Sequence, residues 1–74
     1  MHHEKAVTIT DKIIFRLKEL RLKQGLSHQK LADKSGVNRS TISRIESRDI
    51  EPTLIKFIKI TDALGVDLSD LLKK

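Results

Sequence analysis

Between Ser27 and Glu46 two short amphipathic helical patterns meet across Ser35, Gly36 and Val37, so the chain must reverse in very few residues. Leu31 and Ala32 of the first pattern and Ile42 and Ile45 of the second fall at helical spacing, so the pair can bury a shared seam. Ala32 lets the two helices approach closely. Gly36 occupies the reversal, a position that often needs positive φ, where a side chain would cost about 1–2 kcal/mol. Asn38 reads as an N-cap whose side-chain oxygen accepts from the amide of Ser40 or Thr41, with Val37 and Ile42 as a hydrophobic staple across it. At about 100° per residue, Ile42 and Ile45 lie on one side of the second helix. Arg39, Ser40, Ser43, Arg44 and Ser47 lie on the other. Taken alone, such a polar side is more often an ordinary solvated face. After a tight turn it is also a shape that suits a DNA major groove, where the arginine fork matches O6 and N7 of guanine.

The same kind of punctuation continues along the chain. Thr10 is expected to cap a first helix, with Ile9 and Ile14 as its staple, Ile13, Leu17 and Leu20 as its apolar stripe, and Gly25 as its end. Ser27 caps the second helix, and the third runs from Arg39 to about Ser47. Thr53 caps a fourth, with Leu54, Phe57, Ile60 and Leu64 on its core side and Gly65 as its stop. Asp67 opens a short fifth, with Val66 and Leu71 as staple. The expected fold is a compact all-α five-helix domain over residues 10–74, preceded by a flexible arm over residues 1–9.

Seventy-four residues suffice for one small domain and leave no room for a separate ligand-sensing one, so no small-molecule effector is expected. No cysteine is present, which removes disulfides and thiolate metal sites and agrees with a reducing cytoplasm. No apolar run is long enough for a membrane span, and a cytoplasmic protein is expected. The net charge is +5. Residues 11–26 set Lys12, Arg16, Lys18, Arg21 and Lys23 against Asp11 and Glu19, while over residues 51–74 acids and bases balance. The positive charge thus lies toward the turn-bearing half, which favours attraction to phosphates and binding that weakens with salt. A free amino terminus with His3 could chelate copper or nickel, but adventitious binding is the commoner outcome, so no metal site and no cofactor is assigned.

Read together, Arg16-Leu17-Lys18-Glu19-Leu20-Arg21, Gly25-Leu26-Ser27, Leu31-Ala32, Gly36-Val37, Thr41-Ile42-Ser43-Arg44-Ile45-Glu46, Pro52-Thr53-Leu54 and Ala63-Leu64-Gly65-Val66 closely resemble the phage-repressor-like helix-turn-helix family of Xre/Cro/C1 type. The likeness spans about Ile13 to Leu72. It implies a lambda-repressor-like DNA-binding domain with the helix-turn-helix at helices 2 and 3, and base reading by Arg39, Ser40 and Arg44. His28 and Gln29, with Ser27 beside them, would meet the sugar-phosphate backbone, and Ser43, Ser47 and Arg48 would be further phosphate candidates. At the position of His28 the family often has Gln, and a solvated ring with no role is as good a reading of that residue. Arg21 and Glu46 occupy positions that commonly pair between the first and third helices, which makes them structural.

One short recognition helix reads few base pairs, so a homodimer on a palindrome is expected. Ile55 and Ile58, off the main stripe of the fourth helix, are candidates for its interface together with Leu68. The alternative is that the two isoleucines complete the core against Phe15 or the fifth helix. The function expected is sequence-specific binding of double-stranded DNA by a transcriptional regulator, such as a repressor or controller protein. It could act by covering a promoter or by touching RNA polymerase. The rival is a protein-interaction module, such as an antitoxin-type partner binder on the same fold. Single-strand binding has little support, because two Phe and no Tyr or Trp leave almost no stacking platform. Enzyme chemistry is not expected: there is no thiol nucleophile, no HExxH, no phosphate-cradling glycine loop, and Asp62, Asp67 and Asp70 fit a solvated face and a cap.

Overall fold

The computed structural model describes residues 2–72, which form five helices: α1 His2–Lys23, α2 His28–Ser35, α3 Arg39–Glu46, α4 Leu54–Leu64 and α5 Leu68–Leu72. Met1, the side chains of His2 and His3, and Lys73 and Lys74 lie outside the described residues, and with them the amino-terminal chelate considered above. Among the described residues no helix is long and apolar enough to cross a membrane.

Four of the five helices begin where the sequence punctuation puts them. Ser27, Asn38 and Thr53 cap α2, α3 and α4, their side-chain oxygens accepting from the amides of Lys30, Ser40 and Lys56. At α5 the carboxylate of Asp70 accepts from the Asp67 amide at 2.9 Å, one half of a capping box. Gly36 has φ of 76° and closes α2 by donating its amide to the Ala32 carbonyl. A Cβ built on Gly36 would touch nothing within 4 Å, so the demand for glycine there comes from the left-handed backbone and not from crowding.

The start of α1 differs from expectation. The helix begins at His2, and Thr10 is not its cap: the Thr10 hydroxyl donates back to the Ala6 carbonyl at 2.8 Å, as Thr8 does to Glu4 at 3.0 Å. Residues 2–9 are therefore continuous helix rather than an irregular arm. Nothing between Glu4 and Thr10 breaks a helix, and a threonine hydroxyl can be satisfied inside one as well as at its end. Glu4 also lies in the first turn, where the helix dipole favours an acid. This extension buries little, since Val7 and Ile9 remain 38% and 45% exposed.

The core is built from Ile14 and Leu17 of α1, Leu31 and Ala32 of α2, Val37 of the turn, Ile42 and Ile45 of α3, Phe57, Ile60 and Leu64 of α4, and Leu71 of α5. Helix α2 packs on both α3 and α4, and α1 lies across α3, α4 and α5. Polar side chains of α1 and of the residue that follows it finish the ends of neighbouring helices. Gln24 Nε2 donates to the Leu64 carbonyl at 2.8 Å, at the end of α4, and Arg16 Nη1 donates to the Leu71 carbonyl in α5. These carbonyls have no partner within their own helices, so α1 serves as clamp as well as core wall.

Candidate nucleic-acid interface

Helix α3 is divided along its length. Ile42 and Ile45 are wholly buried, whereas Arg39, Ser40 and Arg44 are exposed and Ser43 is half-buried. Among the described residues neither Arg39 nor Arg44 has an ion-pair partner, so their guanidinium donors face solvent unspent. The start of α3 and the outer side of α2 enclose an open concavity of about 570 Å³, lined by Gln29, Asp33, Gly36, Asn38, Arg39 and Ser40 among others. Asn38 Oδ1 accepts from both the amide and the hydroxyl of Ser40, at 2.8 and 2.6 Å. The Ser40 oxygen therefore keeps its lone pairs for an outside donor.

The residues proposed for backbone contact are in different states. Ser27 spends its oxygen on the Lys30 amide, and Ser47 donates its hydroxyl to the Arg44 carbonyl at 3.2 Å. Gln29 donates to Asp33 Oδ1 at 2.9 Å across one helical turn. Arg48 is placed otherwise than expected of a free phosphate ligand. Its Nε donates to Asp11 of α1 at 2.8 Å and its Nη2 to Glu51 at 3.1 Å. The hydrogen bond to Asp11, against the cost of desolvation and helped by Glu51, holds the guanidinium above its ordinary pKa. Arg48 also sits at φ of 67°, rare for a side chain of this size, so it closes the α3–α4 connection and ties it to α1. Two carboxylates offset the charge it would have brought to a phosphate.

Arg21 and Glu46 meet as a two-pronged pair. Nε donates to Oε2 at 2.7 Å and Nη2 to Oε1 at 2.9 Å, and the two side chains are only 7% and 5% exposed. Arg21 Nη1 also donates to the Leu26 carbonyl at 2.7 Å. His28 joins this cluster, with Nε2 3.0 Å from Glu46 Oε1. One buried carboxylate thus gathers α1, the α1–α2 connection, α2 and α3. Burial pushes the Glu46 carboxyl up, but the hydrogen bonds and charges of Arg21 and His28 outweigh it and hold Glu46 below its ordinary value of 4.5. A group whose folded pKa is lowered adds stability above its unfolded pKa and loses it as pH falls through the folded one. Thermal melts from pH 7 to pH 3 should therefore show a progressive loss below about pH 4.5, and Glu46→Gln should flatten that acid limb. Equal slopes for both proteins would remove Glu46 from the account.

Ile55 and Ile58 do not complete the core. They are 69% and 49% exposed on the outer side of α4, and Phe15 is itself 61% exposed, while Leu68 leans half-buried against the core.

Comparison with known proteins agrees with this geometry. A family model described as Helix-turn-helix matches residues 17–71, most of the chain. The chain is 38% identical over 56 residues to an uncharacterized HTH-type transcriptional regulator, YgzD, of Bacillus subtilis (strain 168), covering 76% of this chain and 85% of that protein. It is also 38% identical over 55 residues to the HTH-type transcriptional regulator PuuR of Escherichia coli (strain K12), and over 58 residues to the SPbeta prophage-derived uncharacterized HTH-type transcriptional regulator YonR of Bacillus subtilis (strain 168). Those alignments cover 74% and 78% of this chain, but 30% and 54% of the longer relatives. With its five-helix, lambda-repressor-like architecture, the chain belongs to the Xre/Cro/C1-type helix-turn-helix family of DNA-binding transcriptional regulators.

Proposed function

We propose that this chain regulates transcription as a homodimer on a palindromic operator, with α3 of each protomer lying in the major groove. The observation that carries this reading is the pair of exposed arginines, Arg39 and Arg44, opposite the buried isoleucines of α3 and without ion-pair partners among the described residues. Their forks suit the acceptor edge of guanine, and Ser40, its hydroxyl proton given to Asn38, suits a base that donates. Gln29, Ser43 and Ser47, with Ser27 and His28, supply backbone contacts around the same concavity, and Arg48 supports α3 from behind. Residues 10–74 form the binding unit, and residues 2–9 extend it as a helical arm. Ile55 and Ile58, continued by Leu68, offer an apolar surface for a symmetric partner, which for a standard interface must bury about 800 Å² on each side. The protein acts in the cytoplasm by occupancy rather than by chemistry, covering a promoter or meeting RNA polymerase beside it.

Selection of duplexes from random DNA, followed by sequencing, tests the reading directly. Inverted half-sites about one helical turn apart are expected. Arg39→Ala or Arg44→Ala should then weaken the selected site by about 1–3 kcal/mol and relax preference at one position in each half-site. Equal losses on selected and random DNA would reassign that arginine to phosphate. A pool with no enrichment would favour a protein partner instead.

A further inference from the structure

We infer that His28 can hold a DNA phosphate only as an imidazolium, so that operator binding is coupled to protonation of the ring in each protomer engaged. The inference rests on the proposed DNA-binding face and adds a titrating contact to it.

The argument is one of donors and acceptors. Nε2 of His28 lies 3.0 Å from Oε1 of Glu46, whose side chain is only 5% exposed. An ionised carboxylate only accepts, so the ring nitrogen facing it must carry hydrogen. A neutral imidazole has one N–H, and here it is committed to Glu46. The other nitrogen, Nδ1, is then a lone pair. A phosphate oxygen also only accepts, so a neutral ring would set lone pair against lone pair. Turning the ring over exchanges the nitrogens and changes nothing, because one hydrogen still has to serve two acceptors. Only the imidazolium, with hydrogen on both nitrogens, can bridge Glu46 and a phosphate.

The second nitrogen is available for such a contact. The His28 side chain is 32% exposed, and among the described residues Arg48 Nη1 is the only buried side-chain nitrogen or oxygen without a partner. Nδ1 is therefore open to solvent. The next residue, Gln29, already lines the concavity that holds Arg39 and Ser40. The charged groups facing the ring are Glu46 from α3 and, across the same carboxylate, Arg21 from α1. On α2 itself Lys30, Asp33 and Lys34 are exposed, and Asp33 is engaged by Gln29. Helix α4 turns Phe57, Ile60, Thr61 and Leu64 inward and leaves Lys56, Lys59 and Asp62 exposed, so it adds no buried charge beside the ring. The proton comes from solvent, and no covalent bond changes.

Glutamine at this position would behave differently. Its amide carries two hydrogens at every pH, so it can serve the carboxylate and the phosphate together without taking up a proton. The dissociation constant for a selected operator duplex should be measured for the full chain and for His28→Gln at fixed ionic strength from pH 8.5 to pH 6, well below both melting temperatures. The unchanged protein should tighten as pH falls, by up to about tenfold per pH unit for each ring engaged. His28→Gln should be flat over the same range and bind at least as tightly at pH 8.5. His2 and His3 are common to both proteins and cancel in the comparison. Nitrogen-15 spectra of the ring should show both nitrogens protonated in the complex. The same pH slope in both proteins, or a neutral ring in the bound complex, overturns the inference while leaving the DNA reading intact. Failure to bind any duplex at any pH overturns both.

Discussion

Replacing Arg21 with Ala should destabilise the folded chain by about 3–5 kcal/mol, the usual consequence of removing one partner from a buried ion pair. For a domain this small, that is a fall in melting temperature of more than about 12 °C and a large share of the whole stability. The loss has two sources. Glu46 would stay buried with His28 as its remaining donor, and the Leu26 carbonyl would lose the hydrogen bond from Arg21. The mechanism has a signature in pH. Without the guanidinium, protonation relieves the stranded carboxylate, so the deficit of Arg21→Ala against the unchanged protein should narrow as pH falls below the carboxylate range. It also has a signature in the double variant. Arg21→Met with Glu46→Leu removes both charges together and should cost less than Arg21→Ala, because a well-filled apolar pair replaces a buried pair at little net cost. A deficit that stays constant with pH, or a double variant worse than the single one, would show that the arginine acts through its packing.

That pair also marks how much of the molecule is legible in the sequence. The caps Ser27, Asn38 and Thr53, with Gly36 and Gly65, are local signals, and the structure places α2, α3 and α4 from them within a residue. The seam of Leu31, Ala32, Ile42 and Ile45 follows from periodicity. The start of α1 departs from that punctuation because a threonine before an apolar stripe signals a cap only when the preceding residues leave the helix. Glu4 to Ile9 do not leave it. Contacts between residues distant along the chain were less accessible still. Gln24 reaching Leu64, Arg48 held between Asp11 and Glu51, and His28 drawn to Glu46 join residues whose separation has no period. The pairing of Arg21 with Glu46 follows only from the family resemblance. For the candidate site, the polar side of α3 was readable by helical spacing, while the states of Arg48 and His28 required a third dimension. An arginine in sequence is a charge, but in the fold Arg48 is paired with two carboxylates, while Arg39 has no ion-pair partner among the described residues.

Ile42→Ala should cost about 2–5 kcal/mol, since the side chain is wholly buried and a cavity remains where it was. Its position also decides what that loss does to function. Ile42 lies on the side of α3 opposite Arg39 and Arg44, where it belongs to the same buried cluster as Leu31 and Phe57. It therefore acts on DNA only through the seating of α3. Ile42→Val, which removes one methylene, should cost about 0.5–1.5 kcal/mol and leave operator affinity within about twofold when measured well below melting. Arg39→Ala should do the reverse, with little change in melting temperature and a loss of affinity, because an exposed side chain without partners contributes little to folding. Calorimetry and binding measured on these variants together would separate the two sides of the helix. If Ile42→Val lost affinity as strongly as Arg39→Ala while remaining folded, the division of α3 into a packing side and a reading side would be wrong. Small shifts of the backbone would then have to be counted as part of recognition.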